Sequence, residues 1–218
     1  MALRILITAA TKTEIAPISD INIPEIIVEP LVSGIGSVAT VWSLMNYLAN
    51  NPKPDIVLNI GIAGSYSKQF PVNSVVIPAR DRFGDLGIEG AIGFTTLFES
   101  GLANPDRVPY REGMLYADSN LISICKGSYP LVEGVTVNST SGNELTIARM
   151  INRFSPEIET MEVAAFYYLC TMEMLPGISI RSISNMVEPR QREKWDIPAA
   201  VDILGREVKS VLKLIAER

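Results

Sequence analysis

Short apolar runs alternate along this chain with stretches of helical periodicity, and that alternation restricts the fold more than any other feature. Leu3–Thr8 (LRILIT), Ile26–Val32, Asp55–Ile60 (DIVLNI), Ser74–Ala79, Leu131–Val137, a brief run around Ile158, and Ile178–Ser184 suit buried strands. Between them, Ser37 is placed to cap a helix with apolar positions at Val38, Val41, Trp42, Met45 and Leu48, and Pro52 and Pro54 end it. Further helices are expected from Asp118 through Lys126, over Asn143–Phe154, and over Met161–Leu175 with Pro176-Gly177 as the stop. The last repeats its apolar face at Val201, Leu204, Val208, Val211, Leu212 and Ile215. Strands that are apolar on both faces, separated by helices, predict a mainly parallel α/β sheet. The stretch from Arg80 to Tyr116 breaks the alternation and suggests an antiparallel excursion. With no internal repeat and no long linker, the 218 residues read as a single domain, 1–218.

Composition narrows the chemistry. The chain has no histidine, which removes Ser-His-Asp and Cys-His catalysis and His-ligated zinc. Acid–base work must fall to Asp, Glu, Lys, Tyr or Cys. Nineteen Lys+Arg against twenty-four Asp+Glu give a formal charge of −5, with no basic block, so neither nucleic acid nor an anionic membrane is an expected partner. Cys125 and Cys170 both sit in apolar stretches and read as buried thiols of a reducing compartment. The start, MALRILITAATKTE, holds one Arg and an apolar run too short for a signal-peptide core, so a cytoplasmic protein is expected.

Sheets of this type bind ligands beyond the carboxyl ends of their strands. After the first strand comes Glu14, which suits a general base or, equally, a first-turn helix acid. Ser33-Gly34-Ile35-Gly36 and Gly61-Ile62-Ala63-Gly64 read as glycine turns; neither fits a dinucleotide fingerprint or a Walker loop. At Glu159-Thr160-Met161-Glu162 a strand gives way to a helix, where a carboxylate could accept both hydroxyls of a ribose or simply serve the helix start. Arg181-Ser182-Ile183-Ser184-Asn185 ends the last strand, and alternation puts Arg181, Ile183 and Asn185 on one face. A buried Arg there needs a partner such as Glu14. Trp195 either covers a pocket or packs on the terminal helix.

In this order, the four segments resemble the purine nucleoside phosphorylase / methylthioadenosine nucleosidase superfamily over nearly the whole chain. The resemblance implies a single-domain, three-layer α/β/α sandwich with a mixed, partly barrel-like sheet. It implies a small-molecule purine nucleoside substrate, no metal or organic cofactor, and a homo-oligomer. By the same resemblance Glu14 activates water with Arg181 beside it. Met161 and Glu162 bind the ribose, Ala63 and Gly64 line the pocket, and Ser141 and Gly142 lie near the base. Asp85-Leu86-Gly87-Ile88-Glu89, Thr136 through Gly142, Ser184 through Arg190, and Trp195 point to the branch that releases hypoxanthine. Adenine-releasing members carry Asp where this chain has Asn185. Asparagine cannot protonate a base, but its amide donates to a purine O6 and accepts from N7–H. The first loop offers only Lys12 as a cation and Gly61–Ser65 offers none, which favours water over phosphate as nucleophile, with Arg80 and Arg82 left as possible phosphate ligands. Arg80, Arg82, Arg190 and Arg192 are candidates for an anionic group on the 5′ side of the substrate. A phosphate-dependent 6-oxopurine nucleoside phosphorylase and a non-catalytic nucleoside-binding module are the rival readings.

Overall fold

The structure, a computed structural model, describes residues 2–19, 21–91, 93–189 and 191–217, with Arg192 described by its backbone alone. In chain order it runs β1 (Leu3–Ala9), the one-turn helix α1 (Lys12–Ile15), β2 (Ile26–Val32), α2 (Ser37–Asn50), β3 (Ile56–Ser65) and β4 (Val75–Phe83). A hairpin of β5 (Gly87–Gly90) and β6 (Gly93–Thr96) and a short β7 (Leu115–Tyr116) fill the expected excursion. Then come α3 (Ser119–Cys125), β8 (Leu131–Thr136), α4 (Glu144–Phe154), β9 (Ile158–Thr160), α5 (Val163–Met172), β10 (Gly177–Met186) and α6 (Ile197–Ala216).

Strands β2, β1, β3 and β10 are mutually parallel in that order, and β4–β8 and β8–β9 are parallel too. The pairs β10–β4 and β3–β9 are antiparallel, so the sheet is mixed. Because β3 pairs with both β9 and β10, the path β3-β9-β8-β4-β10 closes on itself into a small barrel, with β1 and β2 splayed from it. The opening lies on one edge of β3. There β1 pairs along Ile56–Ile60 and β9 takes over only at Gly64–Ser65, so Gly61 to Ala63 face a fork in the sheet.

Both faces of the open part are covered, as the strand pattern requires. Ile5, Ile7, Leu58 and Ile60 pack with Leu204, Val208, Val211 and Leu212 of α6, while Leu6 and Val57 pack on Leu44 of α2 and on α5. Each fully buried aliphatic side chain contributes about 1.5–3 kcal/mol. Cys125 and Cys170 are buried in different clusters, and burial pushes the Cys170 thiol upward. Among the described residues no helix is long and apolar enough to cross a membrane.

Three expectations need correction. The segment Gly61-Ile62-Ala63-Gly64 is not a turn but the second half of β3. Ser37 is not the cap of α2; Gly36, at φ +89°, holds that place. The apolar positions of α2 do not all face the core: Val38 is 82% and Trp42 70% exposed, and its buried residues are Thr40 and Leu44.

Candidate active site

The fork beside β3 opens into a cavity of about 390 Å³. Of the residues to which the resemblance gives a role, Glu14, Met161, Glu162, Ser141 and Asn185 line it. Ala63 and Gly64 contribute wall from β3. Gly142 is not among the lining residues, and Arg181 lies beneath the wall rather than in it.

Glu14 is the first-turn acid of α1 and also lines the cavity. It is the third residue of α1, where its Oε2 accepts from Thr11 N (3.0 Å) and Thr11 Oγ1 (2.7 Å) while Thr11 Oγ1 accepts from Glu14 N, a reciprocal cap. Its Oε1 accepts from Ile62 N at 3.1 Å, an amide left without a strand partner on that edge by the fork. Three donors leave one acceptor site on Oε1, on a residue that lines the cavity. The glycines of β3 make this approach possible. A Cβ on Gly61 would stand 3.0 Å from Glu14 Oε1, and one on Gly64 would stand 2.8 Å from Val187 Cγ2.

Arg181 is 1% exposed on β10. Its Nη1 donates to Asn59 O (2.9 Å) and Ile180 O (3.1 Å), and its Nη2 donates to Asn59 Oδ1. The nearer ion-pair partner is Glu162, with Nη2 4.0 Å from Oε2, rather than Glu14; both carboxylates nonetheless act on the guanidinium. Burial lowers the proton affinity of Arg181, and the neighbouring carboxylates oppose that shift.

Glu162 precedes α5 at the N-cap position but makes no side-chain cap. That task passes to Thr136, whose Oγ1 accepts from Ala164 N (2.9 Å) and donates to Asp81 Oδ1 (2.8 Å). Asp81 is fully buried, and burial pushes its carboxyl up to about 8. Released from capping, Glu162 turns its Oε1 to Gly36 N at 3.0 Å and lines the cavity. Burial raises its carboxyl above the ordinary range, while Arg181 and the Gly36 amide pull it back.

Asn185 follows a bulge in β10 that sets it, rather than Ser184, opposite Gly64. The simple alternation that links Arg181 with Ile183 is therefore interrupted before Asn185. Its Oδ1 accepts from Ser184 Oγ (2.8 Å) and its Nδ2 donates to Met186 O (3.0 Å), leaving one acceptor site and one N–H for a ligand. Trp195 lines the cavity, as do Ile197 and Val201 of α6. Thr11, Ile62 and Glu159 are part of the cavity wall, though the sequence reading gave none of them a role of its own.

Among the described residues no Lys or Arg lines the cavity. Lys12 is exposed, and Arg80 and Arg82 both pair with Glu133, at 2.7 and 2.9 Å. Arg190 and the side chain of Arg192 lie outside the described residues. Nor, among the described residues, is any group of three or more Asp, Glu or Cys arranged to hold a metal ion.

The pocket, lined by Glu14, Glu159 and Glu162, lies at the carboxyl edge of a split, partly closed sheet of nucleoside phosphorylase-like architecture. The comparisons agree. The family model for the phosphorylase superfamily matches residues 26–217, and the chain belongs to that superfamily. It is 28% identical over 185 residues to futalosine hydrolase of Thermus thermophilus, covering 84% of this chain and 80% of that protein. It is 27% identical over 197 residues to the 5′-methylthioadenosine/S-adenosylhomocysteine nucleosidase of Glaesserella parasuis, covering 85% and 80%. Among solved structures, a futalosine hydrolase mutant of Helicobacter pylori superposes with a TM-score of 0.80 at 17% identity, over 97% of this chain and 99% of that one.

Proposed function

We propose that the protein is an N-glycosyl hydrolase of a 6-oxopurine nucleoside, futalosine, releasing hypoxanthine and dehypoxanthine futalosine on the futalosine route to menaquinone. The observation that carries the reading is Asn185 in the cavity wall. Its amide keeps one donor and one acceptor, a match for the O6 and N7–H of departing hypoxanthine, and it has no proton to give to N7 of adenine. Futalosine hydrolase of Thermus thermophilus among the relatives supports the same substrate.

In this reading the open acceptor site of Glu14 holds a water against C1′. As the C1′–N9 bond lengthens, Glu14 takes a proton from the water, the hydroxide bonds to C1′, and the base leaves with the bonding pair and gains a proton from solvent. Glu162 accepts from the 2′- and 3′-hydroxyls, and its charge supports the cationic sugar in between. Water is favoured over phosphate on electrostatic grounds. A phosphate dianion would enter a cavity lined by Glu14, Glu159 and Glu162, with Arg80 and Arg82 engaged elsewhere. That engagement also weakens both as holders of a 5′ anionic group.

The test follows free base by chromatography from futalosine, inosine and methylthioadenosine, with and without phosphate. Hypoxanthine from futalosine at a phosphate-independent rate is expected. Phosphate-dependent release from inosine would mean a phosphorylase, and adenine from methylthioadenosine would assign the other nucleosidase activity. Asn185→Asp is expected to shift relative kcat/KM toward adenine nucleosides by about 10-fold or more; an unmoved ratio removes Asn185 from base reading.

The exposed face of α2 supports a homo-oligomer. Val38 and Trp42 continue from Ile35, which is 61% exposed and also lines the cavity. A second copy over this stripe would cover apolar surface and wall the pocket mouth. Light scattering is expected to give a dimer or larger, and Trp42→Glu to shift it toward monomer; a wild-type monomer overturns this.

A further inference from the structure

Glu162 sits at the N-cap position of α5, yet its carboxylate faces the cavity because another residue does the capping, and that residue is itself held from behind. Thr136 ends β8, and its Oγ1 accepts at 2.9 Å from Ala164 N, the second residue of α5, an amide that an N-cap side chain ordinarily takes. The same oxygen lies 3.1 Å from Thr160 Oγ1 at the end of β9, a residue that lines the cavity two positions before Glu162. A hydroxyl has one proton and two lone pairs. The Thr136 proton goes to Asp81 Oδ1 at 2.8 Å, so one lone pair is left for Ala164 N–H and one for Thr160 O–H.

Asp81 is an unfavourable residue for its place in every other respect. It is fully buried, it is not among the residues lining the cavity, and its Oδ2 has no hydrogen-bond partner among the described residues. Nor does it serve as a close counter-ion, since the ion pairs of Arg82 and Arg181 go to Glu133 and Glu162. Its carboxyl also requires a glycine in the neighbouring strand. Asp81 stands in register with Gly134 of β8, on the face that Gly134 shares with Thr136, and a Cβ on Gly134 would collide with Asp81 Oδ2. A buried carboxyl and a strand glycine are both destabilising, and both converge on the contact to Thr136.

We propose that Asp81 is a positioning residue for the sugar site: by fixing Thr136 as the cap of α5, it keeps the Glu162 carboxylate turned into the cavity. The inference rests on the nucleoside reading of the cavity, in which Glu162 accepts from the 2′- and 3′-hydroxyls, and deepens it. Without the Asp81 acceptor the Thr136 hydroxyl has no anchor, and Ala164 N–H loses a fixed partner. Glu162, already at the N-cap position, then turns to that amide and away from the sugar. The loss falls on recognition of the sugar hydroxyls, while Glu14, held by Thr11 and Ile62, keeps its place.

The experiment measures binding of inosine and 2′-deoxyinosine by calorimetry to the wild type, Asp81→Leu, Asp81→Asn and Thr136→Val. The wild type is expected to prefer inosine by about 10-fold or more, because the deoxy sugar leaves an acceptor of Glu162 unpaired. Asp81→Leu and Thr136→Val are expected to lose most of that ratio. Asp81→Asn is expected to keep it, since the amide Oδ1 still accepts and the oxygen it replaces has no partner. A loss of folded protein weakens both ligands alike and leaves the ratio where it was. An unchanged ratio in Asp81→Leu would therefore reduce Asp81 to a packing role and overturn the proposal, as would an asparagine variant no better than the leucine one. A wild type that binds both nucleosides equally would overturn it together with the ribose role of Glu162, so the two failures are distinct. Should Asp81→Leu not fold, Thr136→Val decides by the same ratio: its loss supports the proposal, and its retention refutes it.

Discussion

Glu14→Gln is expected to lower kcat by about 10²–10⁴-fold while leaving substrate affinity within a few-fold. The side chain has three protein donors aimed at it, from Thr11 N, Thr11 Oγ1 and Ile62 N. Glutamine keeps the shape but turns one oxygen into a donor, so at least one of those bonds becomes a repulsion. If the amide nitrogen faces Thr11, the reciprocal cap of α1 fails and roughly 0.5–2 kcal/mol of stability goes with it. If it faces Ile62, the acceptor site on Oε1 that the proposed reaction needs for the water proton is lost. Single-turnover kinetics with a binding titration separate the effects. A variant with unchanged kcat would leave Glu14 as a helix cap and nothing more.

That double duty illustrates what the sequence makes legible. A carboxylate three residues after Thr11 is recognisable as a cap from spacing alone. Its second bond is not, because it depends on an unpaired amide of Ile62 created where β1 ends and β9 has not begun. Local pattern reads β3 as strand followed by a glycine turn, since glycines usually interrupt strands. The barrel needs β3 to continue, and its glycines are there because Glu14, Arg181, Val187 and Asn185 approach the backbone from the side. Alternation puts Arg181 and Ile183 on one face but does not foresee the bulge that re-aims Asn185. The apolar stripe of α2 is helical in period, yet periodicity gives no indication of which partner covers a face, and here Val38 and Trp42 are uncovered. Asp81 is the clearest omission. Set between Arg80 and Arg82, it looks like a surface charge, but β4 buries it under the start of α5, where Gly134 has no side chain to displace it: a Cβ there would stand 2.1 Å from Asp81 Oδ2.

Arg181→Met is expected to cost about 3–5 kcal/mol, because the methionine fills much of the volume but leaves Glu162, and Glu14 near it, as buried carboxylates with no compensating charge. For a chain of this size that is a fall in Tm of roughly 6–20 °C. The pH dependence separates this electrostatic role from simple packing. Burial already raises the Glu162 carboxyl, and Arg181 is the first influence opposing it, so removing the guanidinium raises it further. The folded variant then holds a proton that the unfolded chain has released above its ordinary value of about 4.3. Stability therefore falls as pH rises through the window between that value and the raised one, and the deficit against wild type is smallest at the acid end. Activity moves in the opposite sense. In the proposed reaction Glu162 accepts ribose hydroxyls as a carboxylate, so the acid limb of kcat/KM is expected to shift to higher pH and part of the lost activity to return in alkaline buffer. A Tm deficit that is flat with pH, with an unmoved acid limb, would reduce Arg181 to a space-filling scaffold for Asn59.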